Sequence, residues 1–506
     1  MEKETDKMSQ TLRDARKYEE LSETRIRPED RPAFHLTART GWMNDPNGFS
    51  YYQGEYHLFY QYHPYETKWG PMFWGHAVSS DLLHWRYRPA ALAPDEAYDR
   101  GGCFSGSALE LPDGRQLLMY TGVAEACQED GGRQAQTQCI AVGDGLDYEK
   151  ALTNPVIGSA DLPEGCSRYD FRDPKLWRRP DGSYACVIGS CTEDKDGQIL
   201  LYSSRDGFRW EYDTTLAKNN GRFGKMWECP DFFELDGSWV LLTSPQDMLP
   251  QGMEYINGNG TLCLIGDFEE KTGQFTERTD QAVDHGIDFY APQTVLTPDG
   301  RRIMIGWMQN WDTCRLEKTE MPWFGQMSLP RELSIRNGRL IQQPVRELEQ
   351  LRTGRVAYHG VSVSGTKVLE GIRGRQLDLE VTLYPEEGGA RCQRFVLYFA
   401  QNSQYRTLLE FCPASSVLQL DRSFSGSRRA VIHQRRIQVT SKNGAIKLRL
   451  ILDRFSAEVF VNDGEQVMTA VIYTEQEADG ISFFADGEVR MDVVQYGLQG
   501  GGTASE

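Results

Sequence analysis

From Phe34 onward, short apolar runs alternate with clusters of Gly, Asp, Asn and Pro, and no run of helical period intervenes. Glu55-Tyr56-His57-Leu58-Phe59-Tyr60, Gln116-Leu117-Leu118-Met119-Tyr120 and Trp239-Val240-Leu241-Leu242 are representative. Runs of this length bounded by turn residues predict strands, and their succession predicts an all-β fold. Asp-Gly turns precede several apolar runs, at Asp113-Gly114, Asp181-Gly182, Asp236-Gly237 and Asp299-Gly300. Ser79-Ser80-Asp81-Leu82-Leu83-His84-Trp85 is echoed by Ser203-Ser204-Arg205-Asp206-Gly207-Phe208-Arg209-Trp210. Repeated strand-and-turn units of this kind predict a β-propeller, each blade a four-stranded sheet.

The pattern changes at both ends. Residues 7–25 place Met8, Leu12, Ala15 and Leu21 among charged positions, predicting an amphipathic helix that lies on the main domain within an N-terminal extension, 1–33. The propeller is assigned to 34–345 and a short connector to 346–355. Beyond it, Arg394-Phe395-Val396-Leu397-Tyr398-Phe399, Ile446-Lys447-Leu448-Arg449-Leu450-Ile451-Leu452 and Glu458-Val459-Phe460-Val461 alternate with period two. One apolar face per strand predicts a β-sandwich over 356–498, with a hairpin at Asn462-Asp463-Gly464-Glu465. The tail, 499–506, offers nothing to a core and is expected to be flexible.

At 506 residues two domains are the natural division. The formal net charge of −18 argues against nucleic acid and anionic membranes, though not against a small phosphorylated sugar held by a few cations. Lys68, Arg168 and Arg315 are candidates for that task, which the sequence does not rank. Eleven scattered cysteines and eight histidines show neither a paired framework nor metal-ligand spacing, so no metal and no cofactor are expected. With no apolar leader or spanning run, a cytoplasmic protein with reduced thiols is the expectation.

Three acids draw attention. Asp45 lies in Trp42-Met43-Asn44-Asp45-Pro46-Asn47-Gly48, where Pro46 pushes it toward extended geometry and Asn47-Gly48 is expected to close a tight turn. Asp173 lies in Phe171-Arg172-Asp173-Pro174, and Glu228 in Trp227-Glu228-Cys229-Pro230. Taken singly, each also reads as a turn cap or a structural ion pair. Together they describe a pocket built from separate segments. Burial beside Trp227 is expected to raise the pKa of Glu228 toward that of a general acid, while Asp45 stays ionised as a nucleophile.

Around these acids the chain resembles glycoside hydrolase family 32, the β-fructofuranosidases. The resemblance also covers Gln61-Tyr62-His63-Pro64, Trp69-Gly70-Pro71, Trp74-Gly75-His76-Ala77, Phe104-Ser105-Gly106-Ser107 and Asp288-Phe289-Tyr290-Ala291, in the family's order. It departs after His35, where Leu36-Thr37-Ala38 lacks a proline common in the family. The resemblance implies a five-bladed propeller followed by a supportive sandwich. Asp45 would then be the nucleophile, Asp173 the transition-state stabiliser and Glu228 the acid/base. It further implies sugar contacts from Asn44, Gln61, Trp69, Phe104, Ser105, Arg172 and Asp288. Without it, Asn44 and Gln61 read as turn or ladder residues, and Trp311 reads equally as a rim stacker or as core. The activity implied is retaining release of terminal β-D-fructofuranosyl units from sucrose, sucrose 6-phosphate or short fructo-oligosaccharides. Retention requires the two reacting carboxyls about 5–5.5 Å apart. A fructosyltransferase on the same scaffold and a non-catalytic carbohydrate-binding propeller are the alternatives; the preferred leaving group and the oligomeric state stay open.

Overall fold

In a computed structural model, residues 8–128, 131–314, 321–385, 392–426, 432–500 and 504–505 are described. Five sheets form the propeller. Blade one comprises β1 (Gly41–Tyr52), β2 (Glu55–His63), β3 (Phe73–Ser79) and β4 (Arg86–Leu92). Blade two comprises β5 (Gly102–Glu110), β6 (Gln116–Val123), β7 (Gln136–Gly143) and β8 (Tyr148–Lys150). Blade three comprises β9 (Cys166–Arg178), β10 (Tyr184–Thr192), β11 (Gly197–Ser204) and β12 (Glu211–Lys218). Blade four comprises β13 (Trp227–Leu235), β14 (Ser238–Pro245), β15 (Leu262–Glu269) and β16 (Gln274–Ala282). Blade five comprises β17 (Tyr290–Leu296) and β18 (Arg302–Trp307), then, past the short β19 (Trp323–Phe324), β20 (Arg331–Arg336) and β21 (Arg339–Pro344).

The first strands touch in the ring order β1, β5, β9, β13, β17 and back to β1, which places them around the axis. The ring is clasped where β19 pairs in parallel with Gly41 and Trp42 of β1, beside a bridge from Thr37 to Gln326. The turn signals fall at equivalent places. Each Asp-Gly pair joins the first and second strands of blades two to five. The two echoed segments join the third and fourth strands of blades one and three, and there Asp81 Oδ1 and Asp206 Oδ1 each accept two backbone N–H bonds. The repeat is therefore a shared turn, closed by an aspartate and followed by a buried Trp85 or Trp210.

The helix α1 runs Gln10–Glu23, with Ser9 Oγ capping Leu12 N. Leu12 and Ala15 are buried against blade one, but Leu21 is exposed and Glu19 takes the inner face instead. Glu19 accepts from Ala90 N and pairs with Arg39, so burial of an acid is compensated where periodicity favoured leucine. Asn47-Gly48 is not a turn. Gly41–Tyr52 is one strand with two register shifts, the second of them between Asn47 and Ser50. Gly48 supplies φ +53° there, and a Cβ would meet the Phe59 ring at 2.6 Å, so the glycine accommodates a bulge.

The six residues Arg346–Leu351 form a 3₁₀ connector. The C-terminal domain is sandwich-like, its strands linked through one long element, Gly480–Leu498. That element pairs with Arg394–Gln401 through residues 480–486 and with Leu377–Tyr384 through residues 490–497. One strand thus serves both layers. The Asn462-Asp463 hairpin is present, with both residues at positive φ. Of the tail, Ala504–Ser505 lies parallel to Arg86–Tyr87 on β4. Among the described residues no helix is long and apolar enough to cross a membrane.

A fully buried ionic network joins the domains. His35 bonds Asp453 through Nδ1 (2.8 Å) and Glu458 through Nε2 (2.9 Å). Arg331 donates to Glu458, Asp284 and Thr469. Burial alone would lower the pKa of His35, but its two carboxylate partners raise it to about 9. His35 and the backbone of Ala33 and Phe34 before it are thus held by side chains of the second domain, while Thr37 and Ala38, where the family's proline is missing, are held by Arg31 and Tyr87.

Candidate active site

Each first strand carries a register shift: Met43/Pro46 in β1, Phe104/Gly106 in β5, Gly189/Val187 opposite Arg172 and Lys175 of β9, Glu228/Asp231 in β13, and Tyr290/Gln293 in β17. Asp45, Ser105, Asp173, Glu228 and Tyr290 sit at or beside these bulges. Asp173, Cys229 and Ala291 adopt positive φ of 67°, 47° and 51°, which is strained for residues with a Cβ. A regular strand would send alternate side chains into the blade interfaces; the bulge re-aims one residue toward the axis.

The three acids converge. Ser105 Oγ donates to Asp45 Oδ2 at 2.9 Å, and Cys229 Sγ lies 3.5 Å from the same oxygen. Cys229 N donates to Asp173 Oδ2 at 2.9 Å, with Sγ at 3.4 Å. The Asp45 carboxyl is buried, and the Asn44 side chain also hydrogen-bonds it. Glu228 is held from both sides. Arg172 Nε and Nη2 donate to Oε1 at 3.0 and 2.9 Å, and Tyr290 Oη donates to Oε2 at 2.7 Å.

Burial drives the electrostatics. It pushes the Asp45 carboxyl up to about 6, reinforced by the charge of Glu228, against Asn44, Ser105 and Cys229. Burial also pushes Asp173 up to about 7, although Arg172 opposes it. The fully ionised Asp45 expected from sequence is therefore reached only above about pH 6. Trp227 does not wall Glu228 as expected. Its indole packs with Ala185, Val187 and Ile199 in the interface of blades three and four and donates to Phe223 O. Neighbouring strand residues face opposite ways, so Trp227 and Glu228 diverge.

The other expected residues are distributed as follows. Asn44 Oδ1 accepts from Trp42 Nε1 (2.8 Å), and Gln61 Nε2 donates to Cys103 O (3.0 Å) across blades one and two. Trp69 is 39% exposed and meets Phe104 edge-on at 6.2 Å, which makes a partly open aromatic corner. Trp311 is partly buried and lies 5.0 Å from Trp307 and 6.4 Å from Trp42. Asp288 is fully buried with both oxygens engaged, Oδ1 by Thr313 and Oδ2 by Arg422 and Val471 N of the second domain. It holds a loop and presents no oxygen to a sugar. Lys68 pairs with Glu66, and Arg315 lies outside the described residues. Among the described residues, no group of His, Cys, Asp and Glu has the geometry of a metal site.

Tyr290, Cys229, Trp42 and Trp307 belong to the same constellation and were not singled out beforehand. Their signal was present, since Tyr290 and Cys229 lie inside motifs chosen for Asp288 and Glu228. A side chain two residues from the presumed functional one is hard to choose without knowing where the bulges fall.

An ionisable carboxyl fixed by Ser105, a second carboxyl held by Arg and Tyr, and an aromatic rim can perform two-carboxylate glycoside cleavage. The comparisons agree. Residues 35–344 match the glycosyl hydrolases family 32 N-terminal domain, and residues 347–496 match that family's C-terminal domain. The protein belongs to glycosyl hydrolase family 32. It is 38% identical to an Escherichia coli sucrose-6-phosphate hydrolase over 92% of this chain and 94% of that one. It is 38% identical to an Escherichia coli raffinose invertase over 90% of this chain and 92% of that one. A solved Bombyx mori GH32 beta-fructofuranosidase superposes with a TM-score of 0.82 at 34% identity, covering 97% and 98% of the two chains.

Proposed function

We propose that the protein is a retaining β-fructofuranosidase that removes terminal β-D-fructofuranosyl units from sucrose, sucrose 6-phosphate or short fructo-oligosaccharides. Relatives named a raffinose invertase and a sucrose-6-phosphate hydrolase, and a related β-fructofuranosidase solved in complex with sucrose, support the substrate class. A cytoplasmic setting fits a chain whose eleven cysteines are all free thiols.

The observation that carries the mechanism is the buried Asp45 carboxyl, whose Oδ2 is fixed by Ser105 and lies against the same Cys229 Sγ that meets Asp173. Held in this way, the carboxylate is oriented to attack the anomeric C2 as a nucleophile. Glu228, oriented by Arg172 and Tyr290, protonates the leaving oxygen as the C2–O bond breaks, and a fructosyl–Asp45 ester forms. Glu228 then takes a proton from water, whose oxygen attacks C2 and releases Asp45. Asp173, tethered by Cys229 N, accepts from ring hydroxyls as positive charge develops.

Proton NMR of the fructose anomer released first tests this. Retention gives β-D-fructofuranose before mutarotation; initial release of the α anomer would sink the covalent scheme.

A further inference from the structure

Asp45, Asp173 and Glu228 stand on three separate blades, and no backbone ladder fixes their spacing. β9 pairs with β10 and β13 with β14, in different sheets, so the distance from Asp173 to Glu228 is set by side-chain contacts. A pattern follows the acids along the first strands. Four strands read Asp45-Pro46-Asn47, Asp173-Pro174-Lys175, Cys229-Pro230-Asp231 and Ala291-Pro292-Gln293, and the fifth reads Ser105-Gly106-Ser107. The third residue of each is polar and buried.

Four of these residues make bonds from blade to blade. Ser107 Oγ donates to Pro174 O at 2.8 Å and accepts from Leu176 N, joining β5 to β9. Lys175 Nζ lies 3.0 Å from Asp231 Oδ2 and donates to Thr294 O at 2.8 Å, joining β9 to β13 and β17. Asp231 Oδ2 also accepts from Thr294 N at 2.6 Å. Gln293 donates to Gly106 O and accepts from Phe49 N, which returns the contacts to β5 and β1. Side-chain bonds just beyond the acids therefore link all five first strands.

Within that ring Lys175 and Asp231 carry charge. They join the two strands on which the acid/base depends. β9 carries Arg172, which grips Glu228, and β13 carries Cys229, whose N–H holds Asp173. The strands are thus cross-linked at two levels, and the fixed φ of Pro174 and Pro230 stiffens the chain between the levels. Burial draws the pKa of Lys175 below the ordinary lysine range, against the pull of Asp231. A buried ion pair stabilises no better than apolar residues of the same volume, but its charge-assisted bond sets one separation where apolar side chains could slide.

We infer that Lys175 and Asp231 are positioning residues, whose pairing sets the spacing of β9 and β13 and so aligns Glu228 with its Arg172 clamp for protonation of the leaving oxygen. The inference rests on the β-fructofuranosidase reading and deepens it.

The test measures kcat and KM separately for wild type, Lys175→Met, Asp231→Asn and the double variant, with melting temperature alongside. Two substrates are compared: para-nitrophenyl β-D-fructofuranoside, and whichever of sucrose and sucrose 6-phosphate wild type cleaves faster. Lys175→Met should lose about tenfold or more in kcat on the sugar, with KM within about threefold, and about threefold or less on the aryl fructoside, whose leaving group needs little protonation. Asp231→Asn, which keeps an acceptor for Thr294 N, should follow the same pattern more weakly. Both single variants should melt lower. The double variant buries no unpaired charge, so it should regain most of the melting temperature lost by Lys175→Met while its kcat on the sugar stays low. Equal losses on both substrates, an unchanged kcat in folded Lys175→Met, or kcat returning together with the melting temperature overturns the positioning role. So does loss of the fold in all three variants, which would make the pair a requirement of folding alone. No fructose from any substrate with wild type overturns the fructosidase reading itself.

Discussion

Arg422, in the C-terminal domain, places Nη1 2.5 Å from Oδ2 of Asp288 in the propeller, and both side chains are buried. Two residues beyond Asp288 stands Tyr290, whose hydroxyl holds Glu228. The other Asp288 oxygen holds Thr313, two residues after Trp311. The second domain is therefore connected by short, buried contacts to both Glu228, the proposed acid/base, and an aromatic side chain of the rim cluster.

Replacing Arg422 with Ala strands a buried carboxylate, a loss worth about 3–5 kcal/mol. Fructose release assays should show a fall in kcat/KM of about tenfold or more at temperatures where the fold persists, and thermal melting should show lower stability. Arg422→Ala combined with Asp288→Asn should recover part of the stability. If the double variant melts no higher than Arg422→Ala, the pair is not the coupled unit described.

Asp45→Asn should cut turnover by on the order of 10⁴ or more, with the fold retained. It should also stabilise. A carboxyl raised to about 6 in the fold costs stability as pH rises through that value, because the unfolded chain ionises more readily. At pH 8 the neutral amide therefore melts a few degrees higher than wild type, an advantage that vanishes near pH 4. An unchanged melting temperature at pH 8 would contradict the buried-anion description.

Glu228→Gln should lose about 10²–10⁴-fold on sugar leaving groups and much less on fructosides with activated leaving groups, which need little protonation. Tyr290→Phe should follow the same pattern more weakly, about tenfold, because it removes one donor to Glu228 and keeps the ring. Uniform losses across leaving groups would place Tyr290 outside acid/base positioning.

The rate should fall on the acidic side as Asp45 takes up a proton near pH 6. In a kcat/KM profile, an acidic limb near the ordinary aspartate value of about 4 would show that the nucleophile is better solvated than the structure describes.

Two histidine sites give opposite pH dependence of stability. His35 is raised to about 9, so its contribution is complete below its unfolded pKa, about 6.5, and is lost as pH climbs through 9. His57, 3.1 Å from His76 across β2 and β3, is lowered to about 4 by burial. Its contribution is complete above about 6.5 and is lost as pH falls toward 4. Alongside the opposite acid-range change from Asp45 and Asp173, His35 should add an alkaline drop and His57 an acid drop to the melting-temperature profile. His35→Gln should flatten the alkaline drop, and His57→Gln the acid one.

Much of the fold was legible because its signals are local. Asp-Gly pairs mark the first hairpin of four blades, and the Ser79 and Ser203 segments mark one turn in two blades. The helix was legible in extent but not in orientation, since Glu19 is buried only because Arg39 and Ala90 N meet it from elsewhere in the chain. Asp45 and Glu228 were legible as candidates, yet the bulge around Gly48 reads like a hairpin in a sequence. Trp227 likewise reads as a wall for Glu228 until the strand alternation turns it away.

The sequence by itself determined residue chemistry and local geometry: which acids have proline and aromatic neighbours, where strands turn, and which family motifs they spell. Those properties depend on a few consecutive residues. Only the tertiary structure decided that the five first strands, each with a bulge, ring one axis, that Asp45 shares Cys229 with Asp173, that Asp288 belongs to Arg422, and that Arg133 meets Arg168 on one tyrosine. These are juxtapositions of residues tens to hundreds of positions apart. They are fixed by ring closure and by packing between blades and domains, which no local pattern encodes.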